Sequence, residues 1–527
     1  MPFACIYVPN FSLAAALRAE PELQARAIAI FEGKPPLEKI IAANEKAAGL
    51  GIAPPMTKAQ AELCSEITLR PRSALHESAA HSALLDCSQS FSPCVEDTAA
   101  DTALLDLAGM ESLFGSLPEI SCALHHRAAI LGLAAARVAI ASNPDAALLA
   151  ARGFPGATVI PSGNEADRLG VLPVEVLFSD AIDGEEKQSA SRLLETFSRW
   201  GIRNLHALAA LPDIALTERL GQEGLRLQQR ARGGASRTLV PVAAPLNFEE
   251  AAALEHPIVL LEPLAFVLNH LLQHICHRLA SRALATQELH LTLELENYAP
   301  FHPQSDTATL PPKIEFRRTL RLPQPMLDAK VFLKLLQLDL NAHPPGAPIL
   351  KIHLAAEPAR SRSAQGGLFL PPTPEPEKLE LTLARIASMV GAGNVGAVEL
   401  LDTHHPEGFR MRRFLSEVAR KPPQPAPDSA QESSPITALR RFRPPLRANV
   451  TLENGRPVRL TCPRNTEIHG SVLWKAGPWR ASGDWWEREA WSRDEWDLAL
   501  LCGESISFYR LVHDLLGGGW FVEGTYD

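Results

Sequence analysis

Several common signatures are missing from this 527-residue chain, and each absence removes a class of protein. No run of about 18 apolar residues occurs, so no membrane-spanning helix is expected. The first residues read directly as a strand, without a charged segment followed by an apolar one, so no secretory leader is expected. Eight cysteines are scattered without Cys-x-x-Cys spacing or a Cys/His cluster. That excludes a zinc module and points to buried, reduced thiols in a cytoplasmic protein. There is no Gly-rich nucleotide loop ending in Lys-Ser/Thr and no Gly-x-Ser-x-Gly elbow. The adjacent pairs His125-His126 and His404-His405 cannot share a helix face, which argues against a metal site at either. An excess of positive charge is lacking too. At a net charge of −9 the chain is no general polyanion binder, and contacts with nucleic acid must come from local patches. Candidates are Lys313, Arg317, Arg318 and Arg321, then Arg410, Arg412 and Arg413, then Arg440, Arg441 and Arg443. The last absence is local. Phe3 to Val8 reads as a buried strand, and the turn that follows, Pro9-Asn10-Phe11, carries no acid.

What is present suggests three or more domains, because one core does not serve a chain of this length. Strand-like and helix-like segments alternate up to about residue 160, the pattern of an α/β domain with a mixed sheet. Residues 164–233 read as wholly helical, with Gly turns after Trp200 and Leu220. Such paired helices either present backbone N–H groups to phosphates or simply pack together. Residues 250–356 read as a second α/β unit. A Ser/Arg/Gly/Pro loop, a helix near 377–390 and a polar, Pro-rich linker over 421–436 follow. Seven of the eight tryptophans lie between Trp474 and Trp520, in a stretch that reads as a small, mostly β module.

Two stretches carry a resemblance to the Y-family (translesion) DNA polymerases. Tyr7-Val8-Pro9-Asn10-Phe11 matches the family's first motif, with Pro9 and Phe11 where acids are expected. Ala99-Ala100-Asp101-Thr102 through Asp106 matches the second: Asp101 falls on a metal ligand, Thr102 replaces a Glu, and Asp106 is a strand-end acid that is not a primary ligand. The triphosphate positions fall on Glu45, Ala48 and Pro144. The resemblance implies a multidomain α/β (α+β) fold. Residues 1–10 and 73–160 would be palm-like, 11–72 fingers-like, 161–235 a helical thumb and 236–360 a little-finger α/β domain. Residues 361–420 would form a clamp-binding loop with a helical extension, and 437–527 the Trp-rich partner-binding module. Two Mg²⁺ ions activate the primer hydroxyl and bind the triphosphate in such enzymes. One Asp facing a proline should not hold that pair, so no catalytic residue, no metal and no cofactor are expected. The alternative is an active, low-efficiency polymerase in which Asp97 or Asp106 joins Asp101 to hold Mg²⁺.

Gln365-Gly366-Gly367-Leu368-Phe369 resembles the peptide by which bacterial polymerases bind the sliding clamp, with Leu368 and Phe369 entering apolar pockets and Gln365 at their edge. Gly109–Gly115, Ala253–Leu264 and the tryptophan-rich end resemble the degenerate polymerase-like subunit of a bacterial mutagenesis cassette. That implies three further partners: primed DNA, a RecA-like accessory subunit and an error-prone replicative-type polymerase. Trp479, Trp485, Trp486, Trp496 and Trp520 are the candidate partner anchors. Tryptophan suits such a role, although a compact β core uses it as well, and the interleaved acids disfavour stacking on bases. The class expected is an adaptor in DNA-damage-induced mutagenesis rather than an enzyme.

Overall fold

The structure, a computed structural model, describes residues 2–179, 184–234, 237–243, 246–296, 314–360, 376–403, 408–412, 438–486, 490–503 and 505–527. It divides into two units, Met1–Met389 and Val390–Asp527. Among the described residues no helix is long and apolar enough to cross a membrane.

The first unit opens with β1 (Phe3–Tyr7), which turns at Asn10 into α1 (Phe11–Ala19). A small sheet follows from β2 (Ala27–Glu32), β3 (Lys39–Ala43) and β4 (Ile67–Pro71), with α2 (Glu45–Gly49) and α3 (Lys58–Ala61) inserted before β4. Next come α4 (Ala74–Gln89), the hairpin β5 (Val95–Ala99) and β6 (Thr102–Asp106), α5 (Glu111–Phe114), α6 (Leu117–Ile130), β7 (Arg137–Ala141), α7 (Pro144–Gly153) and β8 (Ala157–Val159). Their sheet runs β5-β6-β1-β7-β8, so the first strand of the chain lies at its centre. Both faces of β1 are covered: Ala4 and Ile6 belong to the core with α4 and α6, Cys5 to the core with α7. Burial on both faces is why β1 reads as an unbroken apolar run.

Helices α8 (Glu165–Gly170), α9 (Gly184–Arg199), α10 (Leu205–Ala209) and α11 (Asp213–Ala231) continue the α7 core. Gly221, at φ 64°, kinks α11, a conformation that costs glycine little. The second α/β part comprises β9 (Phe248–Ile258), α12 (Leu261–Ser281), β10 (Leu284–Leu295), β11 (Ile314–Met326), α13 (Ala329–Ala342) and β12 (Ile349–Arg360), and α14 (Pro376–Val390) follows. Its antiparallel sheet, in the order β11-β10-β12-β9, packs one face on α12 and α13.

In the second unit β13 (Ala397–Leu400) and β14 (Phe409–Arg412) form a hairpin. Then β15 (Leu439–Glu453), β16 (Arg456–Thr461), β17 (His469–Gly483), β18 (Trp491–Cys502), β19 (Ser505–Asp514) and β20 (Trp520–Tyr526) close into an antiparallel barrel. The expected multidomain α/β body with a β-rich end is therefore present. Six strands outside the barrel, β3, β4, β8, β9, β13 and β14, were not legible. β3 and β4 are short and flanked by helix formers, and β9 (Phe-Glu-Glu-Ala-Ala-Ala-Leu-Glu) has a composition that favours helix. Pairing with β12 overrides that preference.

Buried ions join the two α/β parts of the first unit. The Arg18 guanidinium donates to both Glu250 oxygens, at 2.8 and 2.7 Å. Arg278 donates to Asp86 at 2.7 Å and to Glu250 at 3.1 Å. Arg18 and Glu250 are only 3% and 2% exposed. Burial raises the Glu250 carboxyl, but the two guanidiniums overcome it and hold the group well below the usual range. At Asp86 burial outweighs Arg278 and the net shift is upward. A second tie lies in the segment before β9, where Arg237 grips Glu96 at 2.7 and 2.8 Å and the Val242 N–H donates to the Val95 carbonyl at 2.9 Å. Glu250→Ala strands two buried cations and should lower stability by about 3–5 kcal/mol, read from the urea midpoint. His274 stands 3.8 Å from Glu250, and burial, then Arg18, push its pKa down to about 4. Between its unfolded value of about 6.5 and 4 the unfolded chain binds that proton and the folded one does not, so stability should decrease as pH is lowered through that window. His274→Gln should flatten the fall between pH 6.5 and 5.

Candidate functional site

The expected metal site lies where β1 ends beside the β5–β6 turn. β1 pairs with β6 from Phe3↔Asp106 to Tyr7↔Thr102, and the Val8 N–H donates to the Asp101 carbonyl at 2.9 Å. Val8 thus stands opposite Asp101, and Pro9, the next residue, brings no ligand oxygen from its side chain. Asn10, at φ 49°, begins α1 without an acid in its first turn. The Asp101 carboxylate accepts the Thr102 hydroxyl at 2.7 Å. Asp97 meets His81 Nε2 at 3.1 Å, and His81 Nδ1 lies 2.9 Å from the Ala100 carbonyl. Asp106 sits four residues along β6 from Thr102, about 13 Å at the rise of a strand, and accepts the Ala108 N–H. The alternative in which Asp106 joins Asp101 on a metal therefore has no geometric basis. Among the described residues no group of three or more His, Cys, Asp or Glu side chains is placed to hold a metal ion. This donor set does not fit a two-metal centre.

The triphosphate positions have other occupations. Glu45 and Ala48 are exposed on α2, whose first turn Asn44 caps through the Ala47 N–H. Pro144 is buried at the start of α7, and its neighbour Asn143 caps that helix and donates to the Gly233 carbonyl at 2.7 Å.

The basic cluster of β11 divides. Lys313 lies outside the described residues. Arg317 and Arg321, 75% and 74% exposed, lie on the sheet face away from α12 and α13, whereas Phe316 and Leu320 pack toward those helices. Arg318 shares the parity of Phe316 and pairs with Asp339 of α13, so it does not belong to the same surface. The open-face arginines are already paired, Arg317 with Glu315 and Arg321 with Glu288. In the second unit Arg410 and Arg412 share Glu399, and Arg441 and Arg443 face Glu523 and the Phe409 ring. Arg413, the clamp peptide Gln365–Phe369 and the linker 421–436 lie outside the described residues.

The candidate tryptophans also divide. Trp496, 3% exposed, points into the barrel with Leu498 and Leu500, which makes it a core residue and not an interface anchor. Trp520 stacks on His513 at 4.1 Å. Trp485, at 81%, and Trp486 form an exposed edge-to-face pair at the β17–β18 connection, and Trp479 is exposed on β17. Sequence reading missed the Arg237–Glu96 grip and the buried carboxylate of Glu523, since a lone Arg or Glu in a polar stretch gives no signal.

Residues 6–152 match the impB/mucB/samB family, which with the sheet around β1 marks this part of the chain as a Y-family polymerase-like domain. Over most of its length the chain is similar to Protein ImuB of Caulobacter vibrioides, 25% identical over 453 residues that cover 85% of this chain and 90% of that one. The chain is ImuB-like. DNA polymerase IV 2 of Mesorhizobium japonicum is 30% identical over 206 residues, 38% of this chain and 46% of that protein. DinB from Sulfolobus solfataricus, a solved structure, is 14% identical, with 68% of this chain and 99% of that one covered and a TM-score of 0.37.

The division of the tryptophans makes a prediction. Trp496→Ala should cost about 3–5 kcal/mol, while Trp485→Ala with Trp486→Ala should stay within about 0.5 kcal/mol, both by urea unfolding monitored by circular dichroism.

Proposed function

We propose that this chain is a non-catalytic, polymerase-shaped adaptor in damage-induced translesion synthesis, acting in the cytoplasm at the nucleoid. It binds the sliding clamp (the β subunit) through Gln365, Leu368 and Phe369. It contacts primed DNA through the open face of the β9–β12 sheet, with Arg317 and Arg321, Lys313 just before β11, and Arg318 supporting from the other side. The second unit docks the RecA-like accessory subunit, ImuA, and the error-prone replicative-type polymerase that performs the synthesis, using Trp479, Trp485, Trp486 and Trp520. The observation that carries the reading is the donor set where β1 meets Asp101: an acid-free turn at Pro9 following the strand, one carboxylate beside its end, and the acid of β6 at the far end of that strand. Losing stabilisation of the developing charge in phosphoryl transfer costs several kcal/mol per interaction, and the substitutions at Glu45, Ala48 and Pro144 act in the same direction.

One two-armed experiment tests it. In primer extension with Mg²⁺ or Mn²⁺, the wild-type chain should incorporate no more than Asp101→Ala; incorporation that Asp101→Ala abolishes establishes the polymerase alternative. In clamp binding, Leu368→Ala with Phe369→Ala should weaken the complex at least tenfold, since two buried apolar side chains supply roughly 3–6 kcal/mol before ordering costs. Unchanged affinity removes the peptide from the model.

A further inference from the structure

Strand alternation sorts the barrel residues into a lining and an outer wall. Leu498 and Leu500 of β18 and Tyr509 and Leu511 of β19 fill the interior, so Ala499, Leu501, Ile506 and Phe508 face out. The register continues these outer rows onto the neighbouring strands. Trp474 of β17 lies opposite Ala499, which lies opposite Phe508; Ser471 lies opposite Leu501, which lies opposite Ile506. Arg459 of β16 lies opposite Ser471, and Thr451 of β15 opposite Arg459. Trp474 is 56% exposed and Phe508 49%. Their strands are two spacings apart, about 10 Å, too far for the rings to stack on each other. Neither ring has an aromatic or cationic partner among the described residues.

Beside these rings lies a concentration of positive charge. From Leu439 to Arg464 the chain holds seven arginines against one acid, Glu453. Arg441 and Arg443 are engaged by Glu523 and the Phe409 ring. Arg447, which shares the outward parity of Thr451, is exposed, as are Arg459 and Arg464. None of these three has a carboxylate partner among the described residues. The acids nearby are engaged or placed aside. Asp497, the outward acid one row from Ala499, accepts from Arg510 and from the Tyr526 hydroxyl. Glu453 and Glu467 stand beyond the two ends of β16, leaving Arg459 between them.

The combination selects the partner. Unpaired guanidiniums suit a polyanion, and free aromatic faces in the same rows suit flat rings. The centre of a protein interface is depleted of charge, whereas here arginine and hydroxyl side chains alternate with the exposed rings. Duplex DNA keeps its base faces inside the stack and bends reluctantly. The wall of a closed six-stranded barrel is convex, and a flexible single strand can follow it.

We infer that the outer wall from β15 to β19 binds single-stranded nucleic acid, with bases stacked on Trp474 and Phe508 and phosphates on Arg447, Arg459 and Arg464. None of these residues is among the anchors proposed for protein partners.

The test follows fluorescence anisotropy of a labelled oligothymidylate of about twelve nucleotides on the full chain, with Arg317→Ala and Arg321→Ala in every sample so that the β9–β12 sheet does not mask a loss. Trp474→Ala with Phe508→Ala should weaken binding at least tenfold, while Trp474→Phe with Phe508→Tyr, which keep a stacking face, should stay within threefold. All four changes are at exposed positions and should leave the circular dichroism melt in place. Arg447→Ala with Arg459→Ala should flatten the plot of log affinity against log salt by about 1.4, at about 0.7 for each lost phosphate contact. A duplex of the same length and polyglutamate should compete at least tenfold more weakly than the single strand. Strands carrying 5-iodouracil should crosslink on irradiation to Trp474 or Phe508. Affinity unchanged by the double alanine variant, or crosslinks confined to the first unit, overturns the inference. Equal competition by polyglutamate also overturns it and makes the wall a docking surface for an acidic polypeptide.

Discussion

Four side chains on four elements, Arg18 of α1, Asp86 of α4, Glu250 of β9 and Arg278 of α12, hold the first unit in one arrangement. Their stabilising worth is conditional. Taking four ions out of water is expensive, and the attraction among them offsets that cost only when all are in place. The consequence is specificity more than gross stability: a shifted docking of β9 and α12 would leave at least one charge buried and alone. The segment before β9 adds to this constraint, because Arg237 and the Val242 N–H bind it along β5. The sheet that carries Arg317 and Arg321 is thus held in a fixed relation to β1.

That rigidity shows how a polymerase-like body persists without a polymerase's acids. The sheet around β1 is held by burial of Ala4, Cys5, Ile6 and Val8 from both sides, and none of that burial depends on a carboxylate at the following turn. A turn without an acid therefore leaves that core untouched. Thr102 completes the accommodation by giving its buried hydroxyl to the remaining Asp101. Folding and metal binding are separable here because they draw on different residues of the same strands.

The same separation explains what the sequence made legible. Elements rich in apolar residues, β1, the β5–β6 hairpin, α4 and α12, could be placed within a few residues. β9 could not be read, because its Glu-Glu-Ala-Ala-Ala run is helix-favouring and becomes a strand only against β12. Arg318 was grouped with Arg317 by proximity in sequence, yet the alternation of a strand places neighbours on opposite faces. Trp496 was grouped with Trp485 by composition, although one fills the barrel and the other faces solvent. Ion networks left no trace in the sequence, since their members are up to 232 residues apart.

Charge imposes the remaining constraint on function. The arginines on the open face of the β9–β12 sheet are neutralised by Glu315 and Glu288, and the whole chain carries −9. A phosphate reaching Arg317 must displace a carboxylate already in contact, so each contact yields less than one to a free guanidinium, and long-range attraction toward DNA is absent at physiological salt. A surface of this kind binds DNA weakly on its own. Weak binding becomes useful when a second attachment raises the local concentration, because a tethered site engages as if at millimolar concentration without any new contact. On the proposed reading, the clamp-binding peptide, a few residues beyond β12 in sequence, supplies that attachment. On the proposed reading, the acidic balance of the chain and the tether are two parts of one requirement, DNA contact only where the clamp is already loaded.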